Sequence, residues 1–211
     1  MIDAYDWAGG REAMLRFGPA RAPVVMLLLP LFEEHNRTRA FGVGVLRALA
    51  GRGIAGALPE LPGQGESLVP TEALRLADLR TAAAAAAAKL GQPFVASIRS
   101  AALLDAEVVV AARWRLTPQP GIDLVRELQR LRAQGDGATI AGNALSEMQL
   151  AELSETDVAP GRIVRLQSDP APADRHLAGT PLWRRTEPGN DGSFVELVAD
   201  DIAEWIATCG G

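Results

Sequence analysis

Among the 211 residues there are one cysteine, two histidines and one tyrosine, and each scarcity closes off some chemistry. The lone Cys209 excludes an intramolecular disulfide and any multi-cysteine zinc site, a pattern that fits a reducing compartment. With His35 and His176 as the only imidazoles, a histidine-based metal centre lacks its usual ligands, and no metal or other cofactor is expected. Basic excess is also missing. Twenty-one Lys and Arg stand against 26 Asp and Glu, a net charge of −5, so the chain has no stripe to hold a nucleic-acid backbone. The longest apolar run, Val24 to Phe32, is interrupted by Pro30 and falls far short of the roughly 20 residues that span a bilayer. The opening MIDAYDWAGG has two aspartates and no apolar core of a secretory leader. These absences favour a soluble cytoplasmic protein. Its length suits one domain over residues 1–211, and composition leaves its oligomeric state open.

What is present alternates. Short runs that are apolar on both faces (Val24 to Leu29, Phe94 to Ile98, Val108 to Ala112, Ile163 to Leu166) read as strands buried on both sides of a parallel sheet. Between them, Arg39 to Arg52, Glu72 to Leu90, Leu124 to Gln134 and Phe194 to Thr208 carry helical spacing. The first twenty residues, with a Gly9-Gly10 turn signal, read as an antiparallel hairpin. The run Ala82 to Ala88 suits a helix lying close on a sheet. After the break GDGATIAGN, Leu145 to Glu155 reads as a short amphipathic helix, large enough for a cap or lid. The whole predicts an α/β layer structure.

In such sheets ligands bind beyond the carboxyl ends of the strands. Two loops there stand out. After the first central strand, PLFEEHNRTR has unusual charge density for a segment leaving a buried strand; after the next, PELPGQGES combines Glu60 with two glycines, Gly63 and Gly65, that permit tight turns.

PELPGQGES resembles the (D/E)-L-x-G-x-G-x-S loop of α/β-hydrolases. PLFEEHNRTR resembles the P-F-x-E-E-x-N-x-x-R stretch of the exosortase A system-associated hydrolase family 2, a branch of α/β-hydrolases found beside the PEP-CTERM/exosortase sorting machinery; IAGNALSEMQLAEL and LWRRTEP add further matches in order. The resemblance implies an α/β-hydrolase-like fold: a mostly parallel central sheet with helices on both faces, the N-terminal hairpin and a minimal cap. It also implies hydrolysis of an ester, thioester or amide, in a role tied to that machinery.

Such an enzyme places its nucleophile on a sharp strand-to-helix elbow flanked, two residues either side, by small side chains. FVASIRSAALL, Phe94 to Leu104, is the candidate elbow. Centring on Arg99 puts Ser97 and Ala101 at the small positions, whereas centring on Ser97 or Ser100 puts Val95 and Arg99, or Ile98, there. Arg99 therefore takes the tip, a register the G-L-R-L-G elbow of the resembled family shares. A guanidinium stays charged at any accessible pH and is no acyl-transfer nucleophile. Asp169, in LQSDPAP, stands where the triad acid is expected. The last strand is expected at Pro181 to Thr186, and the loop after it, EPGNDGS, holds no histidine. A triad could be assembled from Ser97 or Ser100, Asp169 and His176, with two members in unusual places.

Arg99 instead suggests an anion site at the first turn of a helix. Its partner is either Glu33 or Glu34, completed by Asn36, or a small anionic or acyl ligand held with Ser97 and Ser100. His35 either bonds within its loop or faces the ligand, and Trp114 either walls a pocket or packs in the core. Arg126, Arg130 and Arg132 with Glu127 read as a solvated helix face. Three functions stay open: a ligand-binding protein without the usual triad, an active hydrolase, and an interaction protein.

Overall fold

A computed structural model describes residues 1–20, 23–134, 139–140, 143–185 and 189–209. Eight strands form one sheet in the order β1-β2-β4-β3-β5-β6-β7-β8. β1 (Ile2–Trp7) and β2 (Gly10–Phe17) make the expected antiparallel hairpin, and β2 pairs antiparallel with β4 (Ala55–Pro59). From β4 onward every pairing is parallel, through β3 (Val24–Leu28), β5 (Phe94–Ile98), β6 (Arg113–Leu116), β7 (Arg162–Leu166) and β8 (Arg175–Leu177). This mostly parallel sheet is the predicted architecture.

Alternation along β3 shows how both faces are covered, since successive side chains of a strand point to opposite sides. Met26 and Leu28 join one apolar core with α2 (Leu76–Leu90) and α3 (Gly121–Gln134). Val25 and Leu27 join the other with α1 (Glu33–Gly51) and α5 (Gly192–Cys209). In α2 the alanines 82, 83, 86 and 87 are all buried, so their small side chains let the helix lie close on the sheet. The short α4 (Glu147–Ser154) starts at a capping box between Ser146 and Gln149, and the Gln149 amide donates to the carbonyls of Thr71 and Leu74.

Three expectations are corrected. Val108 to Ala112 is loop, and the strand occupies the next residues, Arg113–Leu116. Its arginines hid it: Arg115 is fully buried, and the Asp105 carboxylate, also fully buried, neutralises it at 2.8 Å. Among the described residues the last strand is Arg175–Leu177, while Leu182–Arg184 forms a single 3₁₀ turn. Finally, α1 begins at Glu33, so the charged segment read as a loop is mostly the first two turns of a helix, with Glu33 and Glu34 at its positive end. Parts of GDGATIAGN and of the loop EPGNDGS, residues 135–138, 141–142 and 187–188, lie outside the described residues, as does Thr186, the end of the expected last strand. No helix among the described residues is long and apolar enough to cross a membrane.

Candidate ligand cleft

The chain leaves β3 toward β4 on one side, and α2 returns it to β5 on the other, so the strand order reverses beside β3 and β5. At the end of β5 the backbone turns sharply into the 3₁₀ segment Arg99–Leu103. Arg99 sits at the tip with φ 56°, a left-handed conformation uncommon for a residue with a Cβ. Ser97 and Ala101 take the cramped flanking positions and are completely buried. The steric choice of register is the observed one.

The guanidinium of Arg99 is held from two helices. Its Nε and Nη2 donate to the two oxygens of Glu34 at 3.2 and 3.1 Å, a bidentate pair. Nη2 also donates to Glu127 Oε2, on α3, at 3.0 Å. The planar cation lies over the ring of Trp183, 5.4 Å from the centroid. Burial pushes the Glu34 carboxyl up, and the neighbouring Glu127 adds to that, against the pull of Arg99.

Of the other residues singled out, Glu33 pairs with Arg37 instead of Arg99, and Asn36 is exposed and does not complete the ion pair. His35 is buried against Glu60, 3.9 Å from its Oε2, and Arg39, which also donates to Glu60. Burial lowers the His35 pKa to about 4, with Glu60 opposing and Arg39 assisting. Trp114 lies fully buried in the core beneath α5, its indole N–H donating to Asp201 at 2.7 Å.

The hydroxyls are engaged elsewhere. Ser97 Oγ accepts from the buried Arg115 at 3.1 Å, and Ser100 Oγ accepts the backbone N–H of Leu31 at 2.9 Å. The next N–H, that of Phe32, donates to Gln64 Oε1 at 2.7 Å. Phe32 itself is held at φ 62°. Asp169 binds Arg165 at 2.7 Å and the N–H of Ala171, while His176, exposed on β8, meets the carbonyl of Ala171. Among the described residues, no serine, histidine and aspartate are joined in a hydrogen-bonded chain.

Beyond the ends of β5, β6 and β7 a cleft of about 690 Å³ opens. Five arginines (Arg99, Arg126, Arg130, Arg165 and Arg184) line it against three carboxylates (Asp123, Glu127 and Asp169), an excess of positive charge in a protein of net −5. Arg126 is paired with Asp123 and Arg165 with Asp169; Arg130 and Arg184 have no carboxylate partner among the described residues. At the cleft floor, Thr117 Oγ1 and Gln119 Oε1 are buried without a hydrogen-bond partner.

Sequence reasoning missed Glu127, Gln119, Thr117, Arg165 and Arg184. Glu127 was concealed among the arginines of a helix that reads as solvated. The signal available for Thr117 and Gln119 was their position just after a strand, whereas Arg165 lies within β7 and Arg184 in the 3₁₀ turn Leu182–Arg184.

No family model matches the sequence, and no curated protein matches it. The fold has clear likenesses among solved structures. Mouse alpha/beta hydrolase domain-containing protein 10 superposes with a TM-score of 0.68 at 13% identity, covering 99% of each chain. A putative aryl esterase from Burkholderia cenocepacia gives 0.62 at 14% identity, again over 99% of both chains. An epoxide hydrolase from Vigna radiata aligns with 55% of this chain at 20% identity and a TM-score of 0.47, so the chain spans 39% of that protein's length. At these identities the likeness establishes the α/β-hydrolase fold.

Proposed function

We propose that this α/β-hydrolase-fold protein binds a small anionic ligand in the arginine-rich cleft and does not carry out acyl transfer through a serine triad. The observation that supports this most is Arg99 at the elbow, pinned by Glu34 and Glu127 where an attacking hydroxyl would project. An oxyanion hole needs free backbone donors from the residue after the elbow and from the loop after β3. Two N–H groups of that loop, those of Leu31 and Phe32, are taken by side-chain oxygens of the protein itself. Ser97 and Ser100 have no imidazole to take their proton. Arg184, without a carboxylate partner among the described residues, is the cation best placed to hold the ligand, with Arg165, paired to Asp169, beside it on the cleft wall. A link to exosortase/PEP-CTERM sorting and a cytoplasmic location follow from the resemblance of PLFEEHNRTR and from composition.

Two measurements test this reading. Wild-type protein, S97A and S100A should all leave short acyl esters and thioesters uncleaved above the buffer rate. Calorimetric titration with inorganic phosphate and acetate should give saturable binding that Arg184→Ala weakens. Robust turnover lost in S97A or S100A would refute the proposal.

A further inference from the structure

Glu127 stands on the outer side of α3 with its side chain 41% exposed, yet its carboxylate reaches into the cleft. One oxygen, Oε2, accepts from both Arg99 Nη2 at 3.0 Å and Gln119 Nε2 at 2.8 Å. Two convergent donors, one charged, are the arrangement that recognises an oxyanion. Arg99 does not need this second partner for neutrality, since Glu34 already accepts from it through both oxygens. Glu127 is therefore the surplus negative charge at this point and repels Glu34. It also has somewhere to go. Arg130, one helical turn on at i+3, lines the same cleft and has no carboxylate partner among the described residues.

We infer that Glu127 is an internal stand-in for the ligand: an oxyanion entering the cleft displaces it from Arg99 and Gln119, and Glu127 turns to Arg130. This rests on the anion-binding reading above and specifies which donors the ligand takes. The cleft floor narrows the class further. Gln119 is 5% exposed and Thr117 8%, and the oxygen of each side chain, Oε1 and Oγ1, is buried in the cleft wall without a partner. A buried unpaired acceptor costs free energy until a donor reaches it. The ligand that satisfies both features carries a hydroxyl close to its oxyanion: a hydroxycarboxylate or the phosphate monoester of a polyol.

Four probes separate the alternatives: acetate and glycolate, inorganic phosphate and glycerol 3-phosphate, titrated calorimetrically into wild type, Glu127→Ala, Arg130→Ala, the double variant E127A/R130A and Gln119→Met. Residues 127 and 130 face solvent on α3, so these variants should melt close to wild type. E127A should bind the preferred pair about fivefold more tightly, the scale of effect when a half-exposed carboxylate stops competing. R130A should weaken binding in wild type and do so less in the E127A background. Glycolate should exceed acetate, or glycerol 3-phosphate exceed phosphate, and Q119M should erase that margin; which pair responds identifies carboxylate or phosphate. If wild type binds and depends on Arg184 but E127A binds no more tightly, displacement is wrong while the anion-binding reading stands. A hydroxyl preference that is absent, or survives in Q119M, overturns the hydroxylated class. No binding of any probe to wild type or E127A overturns both.

Discussion

Glu34 and Glu127 converge on a single nitrogen: Arg99 Nη2 donates to Glu34 Oε1 at 3.1 Å and to Glu127 Oε2 at 3.0 Å. The two carboxylates are not equivalent, because the Glu34 side chain is 14% exposed and that of Glu127 41%. Removing the inner one leaves a guanidinium with 9% side-chain exposure to a half-solvated partner. Glu34→Gln should therefore cost about 3 kcal/mol of folding stability, the usual penalty for breaking a largely buried pair. Glu127→Gln should cost under about 1 kcal/mol, as for an exposed pair. Urea denaturation of the two variants measures the difference, and equal losses would contradict the assignment of Glu34 as the structural partner.

His35 makes the fold sensitive to acid. Its pKa is lowered from 6.5 to about 4 by burial beside Glu60 and Arg39. The unfolded chain then binds the proton more readily than the folded one between these values, so stability rises with pH. The contribution is fully present above 6.5 and is lost as pH falls toward 4. Between pH 7 and 5 the imidazole should remove roughly 2 kcal/mol of stability. His35→Gln should flatten this part of the pH profile in thermal melts; an unchanged profile would show that the imidazole is not the group responsible.

A buried pair next to the elbow explains Ser97. Arg115 Nη2 meets Asp105 Oδ1 at 2.8 Å with both side chains fully buried, while Nη1 reaches Asp105 Oδ2, Ser97 Oγ and the Ala102 carbonyl. Here the serine is one acceptor among several. Ser97→Ala should cost about 1 kcal/mol, a single hydrogen bond, and leave anion binding unchanged. Asp105→Ala should cost about 4 kcal/mol or prevent folding, because it strands a buried cation. Stability curves on both variants, with a phosphate titration of S97A, check the pair of expectations.

The layers and the elbow were legible because they rest on packing. Strands β3 and β5 announce themselves as runs apolar on both faces, β7 through Ile163, Val164 and Leu166 despite Arg165, and the Arg99 register follows from which neighbours are small enough. Charge was harder to read. Arg113 and Arg115 concealed β6, since the residue that neutralises Arg115 lies ten positions upstream. Glu33 and Glu34 read as loop residues, although two acids in a first turn are what a helix N-terminus favours. Glu127 lay in a pattern of alternating charges whose meaning depends on Arg99, brought near only by the fold. β8, three residues long and carrying Arg175 and His176, is too short and polar to leave a periodic signal.

Asp169 separates the two roles open to the loop after β7. As the acid of a triad it would orient an imidazole; instead it accepts from Arg165 at 2.7 Å and from the Ala171 N–H at 3.1 Å. Burial raises its pKa, but those two hydrogen bonds and the charge of Arg165 outweigh this and hold the carboxyl below its ordinary range. It is therefore charged at neutral pH and masks Arg165 at the cleft wall. Asp169→Asn keeps the shape of the turn while removing the mask. Phosphate should then bind about twofold to fivefold more tightly, a modest gain because the pair is partly exposed and salt-screened. The gain should shrink as ionic strength rises. Calorimetric titrations at low and high salt follow it, and weaker binding in D169N would mean that the carboxylate itself helps to hold the ligand.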